Sequence, residues 1–142
     1  MKSNLCAIAQ KVSEEEIPVL TAEQKINCNY NVLLVEDDDD SAHTMVTELA
    51  EAGFGVRWTR SRDEALLVLN RYLYDIIVLD YLMPGLDADS FVKIVKRDHP
   101  RSRVMLISAV QNIKDVAGKL GVCCWLAKPF FPIRLSDYIA KC

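Results

Sequence analysis

Tyr74 to Leu86 reads Y-D-I-I-V-L-D-Y-L-M-P-G-L, and the architecture of the whole chain follows from it. Ile76, Ile77, Val78 and Leu79 form a continuous run of strand formers, too short for a helix and bounded by Asp75 and a Pro-Gly turn. Such a run reads as a strand buried on both faces. It ends on Asp80, followed by Tyr81, Leu82, Met83, Pro84 and Gly85. Asp80 is therefore expected at the carboxyl edge of a central parallel strand, where open α/β sheets place their ligands. A turn cap would also explain an aspartate there, but a buried carboxylate needs partners in either case. What else reaches that edge decides between the two.

The flanking sequence repeats one unit. Val32 to Val35 is an apolar run ending in Glu36 and Asp37; Asp38, Asp39, Asp40 and Ser41 then offer helix caps before Met45, Val46, Leu49 and Ala50 at helical spacing. Gly53 closes that helix, Val56 to Thr59 gives a second strand, and Ser61 caps a helix with Ala65, Leu66, Val68 and Leu69 on its apolar stripe. Beyond Gly85, Phe91, Val92, Ile94 and Val95 mark a helix ending before Pro100, and Val104 to Ile107 is a fourth strand ending at Ser108. A helix from about Asn112 to Leu120 carries Gly118 and stops at Gly121. Cys123 to Ala127 is the fifth strand, and Pro132 suits the first position of a last helix with Ile133, Leu135, Tyr138 and Ile139 inward. Strand-helix units with short connections, three of their strands lacking amphipathic alternation, imply a doubly wound parallel α/β sheet with helices on both faces. Right-handed crossovers put every strand end on one edge.

Glu36, Asp37, Asp80, Ser108 and Lys128 all fall at those ends. Three converging carboxylates repel unless a cation joins them, and hard oxygen ligands that leave room for water and phosphate oxygens suit Mg²⁺. Asp80 is the acid on the central strand, so it is the expected nucleophile for a phosphoryl group, forming an acyl phosphate. Lys128 supplies a cation for the transferring oxygens, and Ser108 a hydroxyl for one of them.

Composition narrows the classes further. With 142 residues, 51% hydrophobic and 26% charged, the chain fits one globular domain with a short appendage. Residues 1–30 carry Leu5, Ile8, Ala9 and Val12 at helical spacing and a Thr21 to Gln24 capping box. Short helices and a poorly ordered lead are both open for this extension, and the domain proper is placed at 31–142. A net charge of −3 and no basic helix argue against direct nucleic-acid binding. No apolar run approaches the roughly 20 residues of a membrane span, and the start is too short for a secretory signal. The protein is expected to be cytoplasmic. Five cysteines, Cys6, Cys28, Cys123, Cys124 and Cys142, form no C-x-x-C pair, so reduced thiols are expected, with packing as the role of Cys123 and Cys124. His43 and His99 lack a partner at metal spacing, and Trp58 reads as core.

Taken in order, V-L-L-V-E-D-D, D-I-I-V-L-D-Y-L-M-P-G, V-M-L-I-S-A and W-L-A-K-P-F resemble the receiver domains of two-component response regulators, over Asn31 to Cys142. The resemblance implies a flavodoxin-like, chemotaxis-regulator-like fold with strand order 2-1-3-4-5. It implies Glu36 and Asp37 as the acidic pair, Asp80 as phosphoacceptor, and Mg²⁺ held by these three and the backbone carbonyl of Leu82. It further implies Ser108 as the switch hydroxyl, Lys128 before a cis Pro129, and Trp125 at the place of the rotating aromatic. Leu82 and Val110 take the positions that tune hydrolysis of the acyl phosphate; neither can hold an attacking water, so slow release is expected. The partners implied are a sensor histidine kinase or a histidine phosphotransfer protein, and a downstream effector or a second copy. The protein would not be an enzyme beyond accepting and slowly losing its own phosphoryl group.

Three positions depart from the family pattern. Trp125 replaces the usual Tyr or Phe, Ala88 replaces a common Gly, and the interval from Ser108 to Lys128 is about two residues short, roughly half a helical turn. An alternative reading follows, a pseudo-receiver that keeps the site and acts as a protein-interaction module without switching. A haloacid-type phosphatase is disfavoured because Leu82 stands where its second acid would be. No effector domain follows Cys142, so a stand-alone receiver or one cut from a longer chain is expected.

Overall fold

The run Ile76 to Asp80 forms β3, and every one of its residues is buried. Around it, the computed structural model describes residues 30–122, 124–130 and 135–142. The helical spacing and capping box expected before residue 30, and Cys123, Pro132 and Ile133, lie outside the described residues. The remaining strands are β1 (Asn31–Val35), β2 (Gly55–Thr59), β4 (Arg103–Ser108) and β5 (Cys124–Ala127). They alternate with α1 (Asp39–Glu51), α2 (Arg62–Leu69), α3 (Ala88–Asp98), α4 (Ile113–Leu120) and α5 (Leu135–Lys141). All pairings are parallel, in the order β2-β1-β3-β4-β5.

Alternation along the strands divides the core into two layers. Leu33, Val35, Ile77, Leu79 and Leu106 face Ala65, Val68 and Leu69 of α2, Phe91, Val92 and Val95 of α3, and Ile113 and Ala117 of α4. Val32, Leu34, Ile76, Val78, Met105 and Ile107 face Ala42, Met45 and Leu49 of α1 and Leu135 and Ile139 of α5. Each large side chain removed from water here stabilises the fold by about 1.5–3 kcal/mol. The strands β1, β3 and β4 read as unbroken apolar runs because both of their faces are covered.

The helix starts follow local chemistry. Asp38 accepts from the Ser41 N–H at 2.8 Å, Ser61 from Glu64 at 3.1 Å and Asp87 from Ser90 at 3.1 Å. Asn112 makes no side-chain cap for α4, which is only 8 residues long. Gly121 ends that helix with φ 71°, a conformation that L side chains rarely adopt. On the second layer, Ser136 Oγ donates to Glu48 Oε1 at 2.6 Å and ties α5 to α1.

One expectation is corrected. Cys124 and Cys142 are joined as a disulfide, with Cα atoms 5.6 Å apart, where reduced thiols were expected. Cys124 lies on the same face of β5 as Leu126, and the end of α5 packs along that face. Tertiary packing thus pairs two cysteines that no spacing motif connects.

Candidate functional site

Parallel strands bring their carboxyl ends to one edge, and the five expected residues meet there. Glu36 and Asp37 follow β1, Asp80 ends β3, Ser108 ends β4 and Lys128 follows β5. Oxygens of Glu36, Asp37 and Asp80 lie within 4.8 Å of one another. Glu36 and Asp80 are buried, at 1% and 6% exposure, whereas Asp37 is exposed. This set of hard oxygen donors fits a small divalent cation.

Lys128 Nζ bridges the two buried acids, 3.0 Å from Glu36 Oε2 and 3.1 Å from Asp80 Oδ2. Its backbone N–H donates to the Ser108 carbonyl at 2.8 Å, and the Lys128–Pro129 peptide is cis. Burial pushes the Glu36 carboxyl up to about 7, opposed by the Lys128 hydrogen bond and reinforced by the charge of Asp80. Burial alone would lower the Lys128 pKa, but the bond to Glu36 and the charge of Asp80 outweigh it and raise it. Beneath Glu36, the Trp58 indole donates to its carbonyl at 2.8 Å. Trp58 packs against the second layer and touches His43 edge-on, so its ring belongs to the core margin beside the acids.

Ser108 is fully buried, and its Oγ accepts from the Val110 N–H at 3.2 Å. Val110 is half-buried against the first layer. Leu82 donates its N–H to Asp80 Oδ1 at 3.2 Å and leaves its side chain 56% exposed. Trp125, on the opposite face of β5 from Cys124 and Leu126, is 41% exposed.

Arg62 was not singled out from the sequence. This first residue of α2 is 1% exposed, and its guanidinium reaches under the loop after β3. Nη2 donates to the carbonyls of Asp80 at 3.0 Å and Tyr81 at 2.6 Å. Nη1 donates to Met83 at 3.2 Å and Leu86 at 2.8 Å. Burial pulls its pKa below the ordinary arginine value, and the charges of Asp80, Asp87 and Asp37 pull the other way. The available signal was a cation in the first turn of a helix, where the helix dipole favours acids.

The profile of the response regulator receiver domain matches residues 32–140. The chain belongs to this family. It is 32% identical to the uncharacterized transcriptional regulatory protein YcbL of Bacillus subtilis over 106 residues, covering 73% of this chain and 46% of YcbL. The receiver domain of the Francisella response regulator 1452 superposes with a TM-score of 0.68 at 31% identity, covering 80% of this chain and 98% of that one. The chemotaxis response regulator CheY4 of Vibrio cholerae gives a TM-score of 0.73 at 25% identity, over 79% and 97% of the two chains. The expected receiver fold and strand order are thus present, and the chain spans less than half the length of YcbL. Among the described residues, no helix is long and apolar enough to cross a membrane.

Proposed function

We propose that this receiver domain takes a phosphoryl group from a phosphohistidine onto Asp80 and changes a protein-interaction surface in response. The observation that carries the reading is the convergence of Glu36, Asp37 and Asp80 with Lys128 bridging two of them. Asp80 presents a buried carboxylate whose oxygens are held by Lys128 Nζ and the Leu82 N–H. In the transfer, a carboxylate oxygen attacks phosphorus, the phosphorus–nitrogen bond breaks and imidazole leaves. Glu36, Asp37, Asp80 and the Leu82 carbonyl would hold Mg²⁺, which when bound neutralises charge on the phosphoryl oxygens. Lys128 offsets charge on the phosphoryl oxygens as well, and the Ser108 hydroxyl, which accepts from the Val110 N–H, donates its own proton to one of them. Leu82 and Val110 set the rate of loss.

In this reading residues 31–142 form the receiver and 1–30 an extension. The donor is a sensor histidine kinase or a histidine phosphotransfer protein, the output a downstream effector or a second copy, and the compartment the cytoplasm. The exposed Trp125 and the eight-residue α4 favour the alternative of a non-switching interaction module. Acetyl phosphate with Mg²⁺ should add one phosphoryl group by mass, and Asp80→Asn should abolish it. An undiminished adduct in that variant would overturn the assignment. Beryllofluoride with Mg²⁺ should shift the amide spectrum around Trp125; a change confined to the acids would favour the non-switching module.

A further inference from the structure

The side chain of Arg62 is among the largest fully buried ones, and its four hydrogen bonds end on backbone carbonyls of Asp80, Tyr81, Met83 and Leu86. A buried guanidinium carries a desolvation cost that a surface arginine avoids, so a well-formed set of acceptors must offset it. The planar fork of arginine suits this, since its donors have fixed relative positions, and one group can hold several acceptors. Here the acceptors lie at both ends of one loop, from the phosphoacceptor candidate to the residue before the α3 cap.

The same loop is also tied by the Tyr81 N–H, which donates to the Ile107 carbonyl at 2.9 Å, and by Tyr81, Met83 and Leu86 packed against the first core layer. It borders an open pocket of about 500 Å³ lined by Arg62, Tyr81, Leu82, Met83 and Pro84 among others. Leu82 lies between two residues whose carbonyls the guanidinium holds, and its own N–H is engaged by Asp80 Oδ1. The carbonyl of Leu82 is the one proposed above for the cation. The charges of Asp80 and Asp37 act on the same guanidinium.

We infer that Arg62 is a positioning residue for the cation site: its fork fixes the Asp80 to Leu86 backbone so that the Leu82 carbonyl and the Asp80 carboxylate are presented together. This rests on the proposed cation-binding role of the acids. Residues that orient metal ligands in this way typically contribute about 10- to 100-fold to affinity.

The test is a titration of the whole chain with MgCl₂ alone, followed by tryptophan emission, for the wild type, Arg62→Met, Arg62→Lys and Val68→Ala. The last is a core truncation on the same helix that leaves the loop bonds intact. Arg62→Met should bind Mg²⁺ about tenfold more weakly or worse. Arg62→Lys should fall between, because an ammonium keeps the charge but loses the fork. Val68→Ala should keep wild-type affinity. Wild-type affinity in a cooperatively melting Arg62→Met, or an equal loss in Val68→Ala, would overturn the inference while leaving the cation site standing. If Arg62→Met does not fold, the wild type decides alone. Its buried guanidinium N–H resonances should shift on Mg²⁺ addition, and unmoved resonances at saturation overturn the inference. A wild type that binds no Mg²⁺ removes the cation site itself, and Arg62 with it.

Discussion

Two loops leave the carboxyl edge of adjacent central strands, and they are built differently. The loop after β3 is gripped from below by Arg62 through four carbonyls and enters a helix capped by Asp87. The loop after β4 has the Val110 N–H bond to Ser108 and enters α4, whose first residues receive no side-chain cap. The first is organised before anything binds. The second is held through the same hydroxyl that a phosphoryl oxygen would engage, so occupancy of the site and the placement of that loop are coupled through one side chain. A receiver needs both properties, a fixed place for the reacting atoms and a neighbouring segment that can respond.

Removing the grip should have the largest effect. Arg62→Met leaves buried carbonyls without donors and should lower stability by about 4 kcal/mol in urea unfolding. A loss under about 1 kcal/mol would show that the two loops are held alike.

The two regions differ in charge as well, since the acids crowd the β1 and β3 side while β4 ends on a neutral hydroxyl. Burial raises Glu36 from 4.5 to about 7, so the folded chain keeps a proton that the unfolded chain releases. The stability tied to that proton is full below pH 4.5 and is lost as pH rises through 7. At about 1.4 kcal/mol per pH unit, metal-free protein should lose on the order of 3 kcal/mol from this group. Glu36→Gln should flatten that part of the pH profile in urea titrations with chelator present. An unchanged slope would place the titration elsewhere.

At the β5 edge of the sheet the tie is covalent. The disulfide between Cys124 and Cys142 spans 18 positions, and closing a loop of this size is worth about 3 kcal/mol. Reduction, or Cys142→Ser, should lower stability by about that amount, read as a melting-temperature shift with and without reductant. No shift would mean that the end of α5 holds to β5 by packing alone.

The smallest expected effect compares the loops directly. Leu82→Asn places a water-orienting group on the gripped loop, and Val110→Glu places one on the other. Release of phosphate should quicken about tenfold, about 1.4 kcal/mol of barrier, for Leu82→Asn. Val110→Glu should quicken it less, because its loop holds the new group less firmly. A larger effect at Val110 would reverse the assignment of stiffness.

Asp80, Glu36, Asp37, Ser108 and Lys128 were legible because each terminates an apolar run, and parallel connectivity sends all such ends to one edge. The sheet order came with the family resemblance carried by the same segments. Arg62 was hidden because Ser61 and the acids after it read as an ordinary solvated helix start. Nothing local says that a side chain there will turn under the loop of a strand 18 positions away, from Arg62 to Asp80.

Periodicity, caps and strand ends are local chemistry, so the chain's own order of residues determined the elements, the two-layered core and the acidic edge. Which cysteines pair, which arginine is buried and which loop is gripped depend on contacts between elements far apart in sequence. Those were decided only when the helices docked on the sheet, because docking alone sets which polar groups lose water together and must then satisfy one another.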